Sequence, residues 1–200
     1  MITHLRPALV MIVLMTVITG LAYPLAMTGL AGALFPRQAA GSIVARDGKV
    51  IGSSLIGQSF TGDTYFHGRP SATTTADPND SSKTVAAPYN AANSSGSNLA
   101  PTSKALVDRV MEDAAKLKSE NPGVQLPADL VTTSGSGLDP DITPSAAAFQ
   151  APRVARARGV PEATITALVA SHTEGRLLGI LGEPRVNVLA LNLALDDLKK

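Results

Sequence analysis

The 200-residue chain has no cysteine and no tryptophan, and only three Tyr and four Phe. Without cysteine there is no disulfide, no thiolate metal site and no cysteine nucleophile. The compartment stays open, because a cysteine-free domain suits either side of a membrane. With so few aromatics, the core has to be built from Val, Leu, Ile and Ala. Charge is missing in one place above all: no charged side chain lies between Arg6 and Arg37. The first 36 residues hold no Asp or Glu and one Arg, so the 17 basic and 16 acidic residues of the chain become 16 and 16 in the remainder. A domain so balanced has no general attraction for nucleic acid or anionic lipid, and no nucleic-acid partner is expected.

The uncharged stretch is mostly Leu, Ile, Val, Met and Ala. A helix from about Pro7 to Phe35 would be ~40 Å long. The hydrocarbon core of a bilayer is ~30 Å thick, so one tilted or bent helix could cross it. The expected anatomy is a short tail at 1–6, a transmembrane anchor at 7–36 and a soluble domain at 37–200. A cleaved signal peptide is the competing reading, with Arg6 as n-region and Ala31-Gly32-Ala33 as an A-x-A site. Signal h-regions run only ~7–15 residues, about half the apolar length here, which favours a retained anchor in the lipid bilayer. Gly20, Pro24, Gly29 and Gly32 predict a helix that is kinked or closely packed against membrane partners, since small residues let backbones approach. The flanking charges are Arg6 with the amino terminus on one side and Arg37, Arg46 and Lys49 on the other. They leave the orientation open.

Beyond the anchor, GSIVARDGKVIGSSLIG (41–57) reads as two short strands around Asp47-Gly48, a pair suited to the positive φ of a type I′ turn. Residues 58–101 are loop-like and rich in Ser, Thr, Asn, Asp and Pro; only Tyr65-Phe66-His67 looks built to enter a core. So long an irregular segment points to a binding surface or an insertion, with a disordered linker as the plain alternative. Ser103 to Ser119 reads as an amphipathic helix, with Leu106, Val107, Val110, Met111, Ala114 and Leu117 at three- and four-residue spacing. Thr102 or Ser103 can cap it, and Asn121-Pro122-Gly123 ends it. Pro127 to Val131 reads as extended, and Ser134-Gly135-Ser136-Gly137 with Asp139-Pro140 as a turn-rich loop. Thr143-Pro144 opens a second helix that Pro152 is expected to kink or interrupt. A third helix follows Pro161 to about His172, Leu177 to Leu181 reads as a strand, and Asn187 to Leu198 as a helix. The fold class is α+β: one N-terminal transmembrane helix followed by a single mixed soluble domain.

Little in the chain points to catalysis. His4, His67 and His172 have no HxxxH or HExxH spacing and read as solvated or core histidines. The SGSG loop could present backbone N–H groups to an anion. It continues as Leu138-Asp139-Pro140, though, where a phosphate loop needs Gly-Lys-Ser/Thr, so a structural turn is the better reading. There is no GxSxG elbow and no Asp-Lys-Thr-Gly phosphorylation sequence. Arg153, Arg156 and Arg158 offer fork-shaped donors suited to carboxylate or phosphate. Ion pairs within the fold, with Asp139, Asp141 or Glu183, compete with a ligand site there.

Six stretches together resemble the C subunits (KdpC) of the bacterial Kdp potassium-transporting P-type ATPases. They are VITGLAYPLAMTGLAGALFP, GSSLIGQSF, YFHGRPSA, YNAANSSGSNL, LVTTSGSGLDPDITPSAAAFQAPRVARARG and LGILGEPRVNVLALNLALD, in the family's order and spanning nearly the whole chain. Nothing is carried over for residues 73–85, where the match is weakest. The resemblance implies a non-catalytic, single-pass subunit of an inner-membrane complex whose main domain is extracytoplasmic. Its partners would be a channel-like potassium-binding subunit, a P-type ATPase subunit and a small single-span subunit. The implied role is assembly together with that of a catalytic chaperone, raising the affinity of the ATPase subunit for ATP. Potassium would be the transported ion, not bound by any motif seen here.

The resemblance also implies nucleotide contact at the glutamine before the arginine run, here Gln150, with Arg153 and Arg156 nearby. An extracytoplasmic domain and a cytoplasmic nucleotide are hard to reconcile. Coupling through the membrane subunits is physically simpler, since differential binding to two pump conformations shifts their populations. A membrane-tethered protein that contacts ATP directly through Gln150 and the arginines is the alternative.

Overall fold

The computed structural model describes residues 2–198. It divides into two compact units, the first ending at Ser53 and the second beginning at Ser54.

The first unit is dominated by an apolar helical run, Leu5–Leu34, long enough to cross a membrane. It comprises α1 (Leu5–Val17), a π-helical turn (Ile18–Ala22) and α2 (Tyr23–Leu34). The π turn has an identifiable cause. Pro24 has no N–H for the Gly20 carbonyl, and just ahead of it the Tyr23 N–H reaches Ile18 O, five residues back. The helix thus stays continuous through the proline. No residue of α1 or α2 is buried. A helix apolar on every side and uncovered by its own chain suits lipid, so this run fits a membrane anchor. A Cβ added at Gly29 or Gly32 would meet nothing within 4 Å. A short helix α3 (Pro36–Ala39) leads to the antiparallel pair β1 (Ile43–Arg46) and β2 (Lys49–Ser53). The turn between them has Asp47 at φ 51° and Gly48 at φ 75°, the left-handed pair that the sequence predicts.

The second unit carries the core. Its long N-terminal segment is mostly irregular, but β3 (Thr74–Ala76) and β4 (Thr84–Ala86) form an antiparallel pair inside it that the sequence did not reveal. The amphipathic helix is α4 (Lys104–Glu120); Ser103 holds the cap position without a side-chain cap bond. Residues 128–130, expected to be extended, form a 3-10 turn (Ala128–Leu130). After β5 (Asp141–Ile142) comes α5 (Pro144–Arg158), capped by Thr143 through a bond from the Ala146 N–H. Of the kink or interruption expected at Pro152, the interruption is not found: α5 runs on through it. The carbonyl that Pro152 leaves without a donor belongs to Ala148, which is exposed and can be hydrated. Then follow α6 (Glu162–Ser171), β6 (Thr173–Glu174), β7 (Arg185–Asn187) and α7 (Val188–Asp197).

The three-stranded antiparallel sheet has the order β5-β7-β6. Residues 177–181, expected to be a strand, instead make a tight reversal at the tip of the β6–β7 connection. Gly179 and Gly182 take positive φ there, which an extended strand cannot accommodate. The core joins Phe66, Ile142, Val154, Ile165, Val186 and Leu191 with Ala146, Ala147, Ala151 and Ala155. The alanine face of α5 lets α6 and β7 approach closely, which is how a core poor in aromatics closes.

Candidate functional site

Gln150, Arg153 and Arg158, singled out in the sequence, converge on one short irregular stretch of chain, residues 63–67, which begins in a turn. No strand pairs with it, so its backbone groups need other partners. Side chains of α5 and α7 supply them. Arg153 Nη1 donates to Asp63 O at 2.7 Å and to Tyr65 O at 3.1 Å. Arg158 Nε donates to Thr64 O at 2.6 Å. Asn192 holds Phe66 on both sides, accepting from its N–H at 2.8 Å and donating to its carbonyl at 2.9 Å. Gln150 does the same for His67, at 2.8 and 3.1 Å. Five consecutive carbonyls are thereby satisfied by helix side chains. Phe66, fully buried, is the apolar anchor of the stretch.

The cradle is itself cross-linked. Arg153 Nη2 donates to Gln150 Oε1 at 2.8 Å, and Gln150 Nε2 also reaches Ala146 O at 3.3 Å. Arg153 Nε lies 3.1 Å from Glu120 Oε2, an ion pair without the alignment of a hydrogen bond. Burial lowers the Arg153 pKa, opposed by the charges of Glu120 and Asp63. Arg158 adds bonds to Leu195 O and to the Asp196 carboxylate and stacks over the Tyr65 ring, 4.9 Å from its centroid. The arginines therefore do make contacts within the fold, but not with the expected carboxylates. Asp139 pairs with Arg69, Asp141 with Arg185 and Glu183 with Arg176.

Gln150 and Arg153 are buried, at 2% and 9% exposure, so their polar atoms face protein rather than solvent. Arg156 is exposed and donates to Glu120 O at 3.3 Å. The adjoining cleft, about 330 Å³, is lined among others by Asp63, Asp113, Glu120, Lys116 and His67. Glu120 is paired with Arg153 and Asp113 with Arg109, at 3.1 and 2.9 Å, and Asp63 is balanced by Lys116, so the cleft carries no excess positive charge for a polyphosphate. Burial, and next the Arg153 charge, lower the His67 pKa and keep the ring neutral. The other residues marked in the sequence lie elsewhere: Gly20 sits in the π turn, and Pro24, Gly29 and Gly32 lie in α2. Among the described residues, no cluster of three or more His, Asp or Glu side chains is arranged to hold a metal.

Asn192 was missed as a site residue. Its signal was available, since it is the one polar residue inside the apolar run VLALNLAL and is almost wholly buried. Glu120 carried no comparable signal, because its partner lies 33 residues away on another helix.

The comparison with known proteins covers nearly the whole length of the chain. Residues 5–197 match the family described as KdpC, the K+-transporting ATPase c chain. The chain is 70% identical over 200 residues, all of both chains, to a Methylorubrum extorquens protein named Potassium-transporting ATPase KdpC subunit. Proteins of the same name from Bradyrhizobium diazoefficiens and Rhodopseudomonas palustris (strain BisB18) are 70% identical over 196 residues, 98% of each chain, and 67% identical over 199 residues, all of each. With a family match over nearly every residue and full-length relatives at this identity, the chain belongs to the KdpC family of potassium-transporting ATPase subunits.

Proposed function

We propose that this accessory subunit serves an ATP-driven potassium uptake complex from outside the cytoplasm, anchored in the inner membrane by its N-terminal helix. Its partners there are a channel-like potassium-binding subunit, the P-type ATPase subunit that hydrolyses ATP, and a small single-span subunit. It supports their assembly and raises the ATP affinity of the ATPase subunit, acting as a catalytic chaperone. It does so without touching nucleotide, by binding one pump conformation better than another.

The observation that carries this reading is the engagement of Gln150 and Arg153. Their polar groups hold residues 63–67, and the carboxylates of the cleft beside them are balanced by Lys116 and by paired arginines. A triphosphate there would meet no excess positive charge and would have to displace buried hydrogen bonds. Of the three residues linked to nucleotide by resemblance, only Arg156 offers an exposed guanidinium.

The test compares potassium-stimulated ATP hydrolysis by the complex with and without this chain, over a range of ATP concentrations. The KM for ATP should rise when the chain is absent. Labelled ATP should show no saturable binding to the detergent-purified chain alone. Saturable binding that disappears in folded Gln150→Ala would replace this reading with direct nucleotide contact.

A further inference from the structure

The membrane helix does not end in a free linker. Beyond Leu34 the Phe35 N–H donates to Ala31 O at 2.8 Å, Ala39 N to Phe35 O at 2.9 Å and Ser42 N to Arg37 O at 2.9 Å. The Ser53 hydroxyl ties the last residue of β2 back to Gly41 O at 2.8 Å. A series of short hydrogen bonds therefore runs from the end of α2 through α3 to the base of the β1–β2 hairpin. The four residues of β1, at ~3.3 Å each, put the Asp47-Gly48 turn no more than about 13 Å beyond that base. The hairpin is held beside the surface from which α2 emerges.

Its two faces are unlike. The pairs Ile43↔Ser53 and Ala45↔Val50 share one face, and Val44↔Gly52 and Arg46↔Lys49 the other, with the irregularity in register between the two halves. Ile43, Ala45 and Val50 are all exposed, Val50 at 70%. Two strands without a covering layer are only marginally stable in water. On the other face Arg46 and Lys49 stand directly opposite each other, and like charges across a strand pair repel. Both features are unfavourable in water, and both are relieved by the same surroundings.

The position of the hairpin says what those surroundings are. The span ends at Leu34, Phe35 is 58% exposed at that point, and Arg37 follows two residues later. From Phe35 to Ser53 the charges are Arg37, Arg46 and Lys49 against Asp47, three cations to one anion, an excess of two in a domain whose total is balanced. Among the described residues, neither Arg37 nor Lys49 takes part in an ion pair. An element with an aliphatic face and basic residues opposite it lies in the plane of the lipid interface. Its apolar side then meets the acyl boundary, and its long cationic side chains reach the headgroup phosphates.

We propose that the β1–β2 hairpin lies on the bilayer beside the anchor, with Ile43, Ala45 and Val50 toward the acyl chains and Arg46 and Lys49 on the phosphates of anionic phospholipid. The inference rests on the reading of Leu5–Leu34 as a membrane anchor and on no property of the pump.

The experiment uses the full-length chain carrying Val50→Cys, its only cysteine, labelled with bimane and reconstituted in vesicles. Vesicles of phosphatidylcholine alone are compared with vesicles rich in phosphatidylglycerol, using doxyl-labelled lipid and aqueous iodide as quenchers. In the anionic vesicles doxyl lipid should quench the label and iodide should not. Arg46→Gln with Lys49→Gln should lower the docked-to-undocked ratio by about 25-fold, roughly fivefold for each cation. That variant loses a like-charge repulsion, so the hairpin should fold at least as well. A label open to iodide in both kinds of vesicle, or a ratio indifferent to the two substitutions, overturns the proposal. A label in the assembled complex that is screened from iodide yet untouched by doxyl lipid would put a protein on this face, and overturns it too. If alkaline carbonate strips the chain from the vesicles, the anchor reading falls and the proposal with it.

Discussion

The carboxamide of Gln150 holds the backbone of His67 on both sides, accepting from its N–H at 2.8 Å and donating to its carbonyl at 3.1 Å. One residue earlier, Asn192 from α7 holds Phe66 in the same way. Two helices thus hold the irregular chain at residues 63–67 through their side chains.

Removing either amide should therefore destabilise the fold. Gln150→Ala leaves two His67 backbone groups and one Arg153 nitrogen without their partner, and Asn192→Ala leaves both Phe66 groups. Each should cost about 2–4 kcal/mol in chemical denaturation, by unsatisfied buried groups and lost packing. The double variant should be non-additive, since the two amides hold adjacent peptides. Additive, near-zero effects would contradict the cradle.

Tyr89 packs against two glycines that leave it room. A Cβ at Gly57 would lie 2.6 Å from Asp139 O and closer still to the Tyr89 ring, and one at Gly68 would overlap the Tyr89 hydroxyl. Gly57→Ala and Gly68→Ala should each lower stability by about 1–3 kcal/mol through overpacking. At Gly62 the nearest atom would be 3.6 Å away, an ordinary contact, so Gly62→Ala should be close to neutral. Thermal unfolding of the three variants checks the order.

Stability should depend on pH at both ends. Burial lowers the His67 pKa below its ordinary 6.5, so the unfolded chain takes up the proton first. Stability is then lost as pH falls below about 6.5 towards the lowered folded value. Burial, helped by the Asp139 charge, raises the Tyr89 pKa to about 12. Its contribution is complete below about 10 and is lost as pH rises through about 12. His67→Asn should flatten the acid limb and Tyr89→Phe the alkaline limb in denaturation midpoints followed against pH. Limbs that stay unchanged would remove these assignments.

How much of this could be read from residues alone varies with how local the cause is. The membrane run, the Asp47-Gly48 turn, the Thr143-Pro144 helix start and the α+β class depend on neighbouring residues, and they match the structure. Leu177–Leu181 was misread because an apolar run looks like a strand until its glycines adopt positive φ. That Pro152 leaves its helix uninterrupted could not be read locally, because the exposure of Ala148 depends on tertiary placement. The arginine run was located correctly but its partners were not. Arg153 reaches back 90 residues to Asp63 O, and no periodicity encodes a contact between a helix side chain and a distant irregular backbone.

The open side of the membrane helix yields a further prediction. A Cβ at Gly29 or Gly32 would meet nothing within 4 Å, so Gly29→Leu and Gly32→Leu start from open space. Membrane insertion should therefore be unchanged, while copurification of the other subunits should fall if those glycines lie at a helix–helix contact. Full recovery with both substitutions would place the contact elsewhere.

The side of the membrane on which the second unit lies decides whether ATP can reach it at all. The chain has no cysteine, and Ser94 is exposed, so Ser94→Cys creates a unique label site. The decisive measurement is labelling of this variant by a membrane-impermeant maleimide in vesicles of known orientation that contain the whole complex. The account predicts modification only from the extracytoplasmic face. Modification only from the cytoplasmic face would contradict it.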